Sequence, residues 1–106
     1  MGRAAEAERE LRQASRALPG DAAIHDSLGI ALQALDRTDE AVAEYTVALQ
    51  LELGPSRADM LNNLGAAVAK LGRMDEAVSK FREAVRLNPS LGAAQANLAK
   101  AWQTGC

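Results

Sequence analysis

Apolar residues recur along this chain at steps of three and four, in blocks separated by short polar stretches. Leu28, Ala31, Leu32 and Leu35 form one stripe, and Leu64, Ala67, Val68 and Leu71 form another. Such spacing lines one side of an α-helix. A second kind of stripe, Ala41, Tyr45, Ala48 and Leu49, is echoed by Ala77, Phe81, Ala84 and Val85. Between the two kinds, Asp36-Arg37-Thr38 and Gly72-Arg73-Met74 are too polar or too flexible to continue a core face. Gly72 suits the left-handed conformation that ends a helix. Asp39 and Asp75 are placed to cap the next helix and complement its dipole. Glu76 and Lys80 form an i,i+4 pair in the favourable order. Proline ends the second helix because it cannot continue the hydrogen-bond ladder, most sharply at Gly54-Pro55. The pattern predicts six helices, over 3–17, 22–35, 39–53, 57–71, 75–87 and 91–104.

The stripes belong to a repeat. With 22–53 set against 58–89, an offset of 36, twelve of 32 positions are identical. Leu28-Gly29-x-Ala31 matches Leu64-Gly65-x-Ala67, and Asp39-Glu40-Ala41-Val42 matches Asp75-Glu76-Ala77-Val78. Tyr45 stands opposite Phe81. Partial copies flank these: Asn97-Leu98-Ala99-x-Ala101 repeats Asn63-Leu64-Gly65-x-Ala67 at an offset of 34, and Ala7, Leu11, Ala14 and Pro19 repeat Ala77, Phe81, Ala84 and Pro89 at an offset of 70. Each of Pro19, Pro55 and Pro89 precedes a new copy by three residues, so the period is 34, with two extra residues between Ala48 and Pro55. Gly29, Gly65 and Ala99 share one position, and Ala41 and Ala77 another; small side chains there let helices approach closely, with Tyr45 and Phe81 filling the space between successive units.

A helix-turn-helix period of 34 residues with Leu-Gly, Ala, aromatic, Ala and Pro at these offsets resembles the tetratricopeptide repeat family. With Ala22 and Ala58 as position 1, the signature falls on Leu28 and Leu64, Gly29 and Gly65, Leu32 and Val68, Ala41 and Ala77, Tyr45 and Phe81, Ala48 and Ala84, and Pro89. Two places depart from it. Pro55 arrives two residues late, and His25 and Gln95 stand where a large apolar residue is usual, while Leu61 fits. Pentatricopeptide repeats share the architecture, but they bind RNA and are usually basic, which this chain is not.

The resemblance implies an all-α, right-handed α-solenoid of about six helices. It implies one domain over 1–106: a half repeat at 3–19, a repeat at 22–55, a repeat at 58–89 and a terminal helix at 91–104. It also implies a protein–protein interaction scaffold that holds a peptide or helix of a partner in a concave groove lined by the first helix of each copy. The groove positions carry Asp26, Ser27, Ile30, Gln33, Asp59, Asn62, Asn63, Ala66, Ala69, Lys70, Asn97, Lys100 and Gln103. Chaperone-binding members clamp a carboxylate with a lysine at position 5. Here that position holds Asp26, Asn62 and Ala96, and an anion would meet Asp26 and Asp59, whereas a buried anion needs paired positive charge. Asn63 and Asn97, with Ser27 as a shorter stand-in, are similar to the asparagine ladder of the repeat region of O-GlcNAc transferase, which grips a peptide backbone. An amide suits that task because it both donates and accepts.

Composition narrows the rest. Net charge is −2, with acidic and basic residues interleaved, so the basic stripe of a nucleic-acid binder is missing. No apolar run reaches membrane length, and Met1 to Arg12 lacks the apolar core of a secretory signal. A single cysteine, Cys106, cannot form an internal disulfide, which points to the cytoplasm; at the end of the chain it lacks the fixed base a reactive thiol needs. His25, the only histidine, has no nucleophile or ligand partner at helical spacing and reads as a packing residue. Trp102 shares a position with Leu32 and Val68 and reads as core. The pairs Asp39-Glu40 and Asp75-Glu76 read as caps rather than catalytic carboxylates. The expectation is a non-enzyme with no cofactor and no metal. Ala94, Leu98, Ala101 and Trp102 form an apolar stripe on the last helix with no following helix to cover it, which suggests homo-oligomerisation through that helix. The remaining alternative is a partner-targeting region of a larger protein.

Overall fold

The computed structural model describes residues 2–105, and its elements are all α-helices: α1 Gly2–Ala17, α2 Ala22–Ala34, α3 Thr38–Leu51, α4 Arg57–Lys70, α5 Met74–Leu87 and α6 Gly92–Gly105. The boundaries lie within two residues of those read from the periodicity. They fall into two compact units, Met1–Glu52 with α1–α3 and Leu53–Cys106 with α4–α6.

In the first unit, α2 and α3 form an antiparallel hairpin. Leu28, Ala31 and Leu32 of α2 are buried with Ala41, Tyr45, Ala48 and Leu49 of α3, the two stripes of the sequence. A Cβ on Gly29 would lie within 2.5–2.9 Å of three ring carbons of Tyr45, so the aromatic ring fills a slot that a larger residue would close. Tyr45 thus packs within its own repeat. Helix α1 buries no residue fully; Ala4, Ala7, Leu11 and Ala14 form a half-buried stripe. Its polar side adds a closed ring of ion pairs. Glu8 meets Arg12 at 2.9 Å and Arg37 at 2.8 Å, and Glu40 meets Arg37 at 2.7 Å and Arg12 at 3.6 Å.

The α2–α3 turn shows how one helix is closed and the next begun in three residues. Asp36 has φ 61°, in the left-handed region. Its N–H bonds the carbonyl of Gln33, and the N–H of Arg37 bonds that of Leu32, the Schellman pattern. The α4–α5 turn repeats this with Gly72 at φ 83° and Arg73 bonded to Val68. Aspartate tolerates the left-handed region better than most side chains, which lets Asp36 do glycine's task. The following helices therefore begin at once, at Thr38 and Met74, and their N-caps are Arg37 and Arg73 without side-chain caps. Asp39 and Asp75 lie inside the first turn rather than at the cap, where they still complement the dipole. The glutamates pair backwards: Glu40 with Arg37, and Glu76 with Arg73 at 2.6 Å.

In the second unit, Leu61, Leu64, Ala67 and Val68 of α4 are buried with Ala77, Phe81 and Ala84 of α5. Gly65 receives Phe81 as Gly29 receives Tyr45, with a Cβ 2.6 Å from the ring. Helix α6 packs against both α4 and α5. Ala94 and Ala101 are buried by this packing and Leu98 is half-buried, so most of the stripe expected to be open is covered within the unit. The two extra residues of the first full copy leave α3 and α5 equally long; one lengthens the connection and one adds a residue to the start of α4.

Candidate functional site

The expected groove residues separate by unit. On α4, Ala66, Ala69 and Lys70 follow one another at steps of three and one, and on α6 Asn97, Lys100 and Ala101 do the same, so each trio shares a helix face. The two faces enclose a cleft of about 330 Å³, completed by Met74 and Phe81 of α5. The floor is apolar, because Phe81 is pinned over Gly65 and alanines at positions 66, 69 and 101 leave the space above it unfilled. The rim is polar. Among the described residues, Lys70 and Lys100 are the charged ones in the lining, and no carboxylate belongs to it. Asn97 stands half-buried at the edge and donates from Nδ2 to Oδ1 of Asn62 at 2.9 Å. That bond fixes the amide's orientation and uses one of its donors. Asn63 is half-buried on α4 and is not part of the cleft lining, and Asp59, near the start of α4, is exposed.

In the first unit, Ser27 and Ile30 are exposed on α2, and Asp26 is half-buried. Gln33 is also half-buried, and its Oε1 accepts a hydrogen bond from the Tyr45 hydroxyl at 2.7 Å. Burial pushes the Tyr45 phenol well above its ordinary value, and the Asp26 carboxylate adds to the shift. Gln33 thus supports the core as well as facing outward. The periodic pattern gave no sign of this bond, because it depends on the hydroxyl that distinguishes Tyr45 from Phe81.

His25 is buried between helices, as its lack of partners for chemistry suggested. Its Nδ1 lies 2.8 Å from Oε1 of Glu44 on α3, and its Nε2 lies 3.0 Å from the carbonyl oxygen of Pro19 in the α1–α2 connection. Trp102 departs from expectation. It is 50% exposed, with the Arg82 guanidinium 5.3 Å from its ring centroid, a cation–π contact. Ala101 beside it is buried, as Ala31 and Ala67 are beside Leu32 and Val68, but among the described residues no helix follows α6 to cover the ring as α3 covers Leu32 and α5 covers Val68. Cys106 lies outside the described residues. Among the described residues, no group of three or more His, Cys, Asp or Glu could hold a metal ion, and no helix is long and apolar enough to cross a membrane.

A family model described as tetratricopeptide repeat matches residues 27–92. The first TPR of Spaghetti (RPAP3), solved bound to the HSP90 peptide SRMEEVD, superposes with a TM-score of 0.90 at 22% identity, over 97% of this chain and 80% of that one. The second TPR domain of human RPAP3, in complex with the HSP70 peptide SGPTIEEVD, gives 0.86 at 23% identity, over 94% and 82%. TTC0263, a thermophilic TPR protein of Thermus thermophilus, gives 0.83 at 27% identity, over 96% of this chain and 51% of that protein. No curated protein sequence matches the chain.

Proposed function

Because the chain belongs to the tetratricopeptide repeat family, we propose that it is a protein-interaction module whose second unit holds an extended segment of a partner protein in the cleft between α4 and α6. The observation that carries this reading is the cleft itself. An unfilled apolar floor under a rim of two lysines and an asparagine matches a peptide that presents one large apolar side chain next to carboxylates. At about 330 Å³ the space lies at the small end of ligand-site volumes and has room for a large apolar side chain with part of the segment that carries it. The peptides bound by the RPAP3 domains, SRMEEVD and SGPTIEEVD, place Met or Ile before acidic residues, the same order of chemistry. Within the second unit, Asp59 near the start of α4 disfavours a carboxylate there, whereas Lys70 at the end of α4 favours one. The fold supports binding rather than catalysis.

The test is fluorescence anisotropy with a labelled peptide carrying Ile or Met before a run of glutamates, against the full chain. Binding that weakens about tenfold or more in Lys100→Glu, about 1.4 kcal/mol, with unchanged circular dichroism supports the reading. No binding by the wild type, or equal binding by the variant, overturns it. A second reading, self-association through α6, draws on the exposed Trp102. Concentration-dependent mass in light scattering that is abolished by Trp102→Ala is its signature.

A further inference from the structure

The one histidine holds a position that only an additional proton can satisfy. Both of its ring nitrogens face acceptors: the Glu44 carboxylate from α3 at Nδ1, and the Pro19 carbonyl from the α1–α2 connection at Nε2. A neutral imidazole carries one N–H. If that proton sits on Nε2, a ring lone pair faces the Glu44 carboxylate. If it sits on Nδ1, a lone pair faces the carbonyl. The two contacts coexist only when His25 and Glu44 share one further proton. From this geometry we propose that His25 and Glu44 form a one-proton clasp, which ties the α1–α2 connection to the α2–α3 hairpin while the proton is held and releases it when the proton leaves.

The release has a defined consequence in the fold. Helix α1 buries no side chain fully, so its hold on the rest of the unit depends on the half-buried Ala4, Ala7, Leu11 and Ala14 and on polar contacts at its middle and beyond its C-terminal end. At the middle, Glu8 and Arg12 meet Arg37 and Glu40. Beyond the C-terminal end, the Pro19 carbonyl meets His25. With one ring proton left, the Glu44 carboxylate is the stronger acceptor and keeps it on Nδ1, so the Pro19 contact is the one lost, which frees the end of α1 that leads into α2. The charged groups acting on the ring are Glu44 from α3 and Asp21 at the N-cap of α2, and the connection adds the Pro19 carbonyl. Burial disfavours the ring's charge, but these acceptors together outweigh it and hold the imidazole above its ordinary value. A group raised in this way stabilises the folded state fully below its unfolded value, about pH 6.5, and the stabilisation is lost as pH rises through the folded value. The clasp therefore closes in mild acid and opens toward alkaline pH.

The test uses the full chain and two readouts. Because His25 is the only histidine, its ring protons give a single unambiguous NMR titration. The amides of Leu18 and Asp21, bonded to Ala14 and Leu18, report the connection through hydrogen exchange corrected for the intrinsic rate. The expected result is a midpoint above about 6.5, with protection at these amides falling about threefold or more between about pH 5.5 and about pH 8.5. In Glu44→Gln the amide can donate to Nδ1 of a neutral ring that donates to Pro19, so the midpoint drops and the connection stays protected across the range. A wild-type midpoint at or below about 6.5, or the same exchange profile in Glu44→Gln, overturns the proposal. If that variant does not fold, the wild-type titration decides alone.

Discussion

Gly29 and Tyr45 are matched across the α2–α3 hairpin: the ring occupies the space a Cβ would need, with Cε1 only 2.5 Å from where that atom would stand. Gly65 and Phe81 stand in the same relation one repeat later, at 2.6 Å. Alanine is the better helix former by about 1 kcal/mol. The rings are buried and cannot swing aside, and overpacking a core costs about 1–3 kcal/mol. Gly29→Ala and Gly65→Ala are therefore expected to lower Tm, by about 4–8 °C for each kcal/mol lost. Gly92, where a Cβ would meet nothing within 4 Å, supplies the control, and Gly92→Ala should leave Tm equal or higher. Thermal unfolding followed by circular dichroism separates the three.

Tyr45→Phe converts the first hairpin to the chemistry of the second. It removes the bond to Gln33 and leaves a half-buried amide oxygen without its donor, at a cost of about 1 kcal/mol. Gln33→Met in addition should recover part of the loss, since both polar partners are then gone. The same burial makes a spectroscopic prediction. With one tyrosine in the chain, absorbance titration reports Tyr45 alone, and phenolate should not form at its ordinary pH near 10 but only as the protein unfolds. Free ionisation near pH 10 in the folded state would contradict the packing described.

The helices and the repeat were legible because they depend on spacing, and spacing is written in sequence. Leu28, Leu32, Leu64 and Val68 could be placed in the core from their intervals alone. The turn was half legible. Gly72 announces a left-handed residue, whereas Asp36 in the same role is announced only by its place in the repeat. Once those residues close the helix, the next begins two positions later, and Asp39 and Asp75 fall inside the first turn rather than at the cap. Trp102 was misread because a shared repeat position does not guarantee a shared environment. Leu32 and Val68 are buried by their hairpin partners α3 and α5, while among the described residues no helix follows α6 to cover Trp102. The cleft was legible residue by residue but not as a cavity, since its depth comes from where alanines leave Phe81 uncovered.

The ion-pair ring should make the docking of α1 sensitive to salt and to acid. Arg12 first, and then Arg37, hold the Glu8 carboxyl below its ordinary value; Arg37 and then Arg12 do the same for Glu40. A depressed carboxylate stabilises above its unfolded value and loses that contribution as pH falls through the folded one, so α1 should loosen below about pH 4.5. Glu40 is exposed while Glu8, Arg12 and Arg37 are half-buried, so salt at about 1 M, with a screening length of about 3 Å, weakens the Glu40 side of the ring most. Faster amide exchange confined to α1, in Glu8→Gln or at high salt, is the expected outcome. Unchanged exchange in α1 under both conditions would show that the half-buried alanine stripe holds the helix unaided.

Filling the cleft separates peptide binding from stability most cleanly. Ala66 is exposed on α4 and lines the space over Phe81, so a larger side chain there takes up the cleft without entering the core. Ala101 lines the same space but is buried, and enlarging it would disturb the packing of α6. Ala66→Trp is therefore expected to keep the wild-type Tm within about 2–4 °C, since surface changes fall within about 0.5 kcal/mol, while abolishing binding of a peptide that inserts Ile or Met. Ile30→Glu places a charge of the peptide's own sign on the exposed face of α2 in the first unit. If Ala66→Trp alone removes binding, the cleft is the recognition element and α2 is outside the footprint. If Ile30→Glu weakens binding as much, the first unit takes part in recognition as well, and the cleft is not the whole recognition element. If neither variant changes binding, recognition lies on another face, and the lysine rim has no part in it.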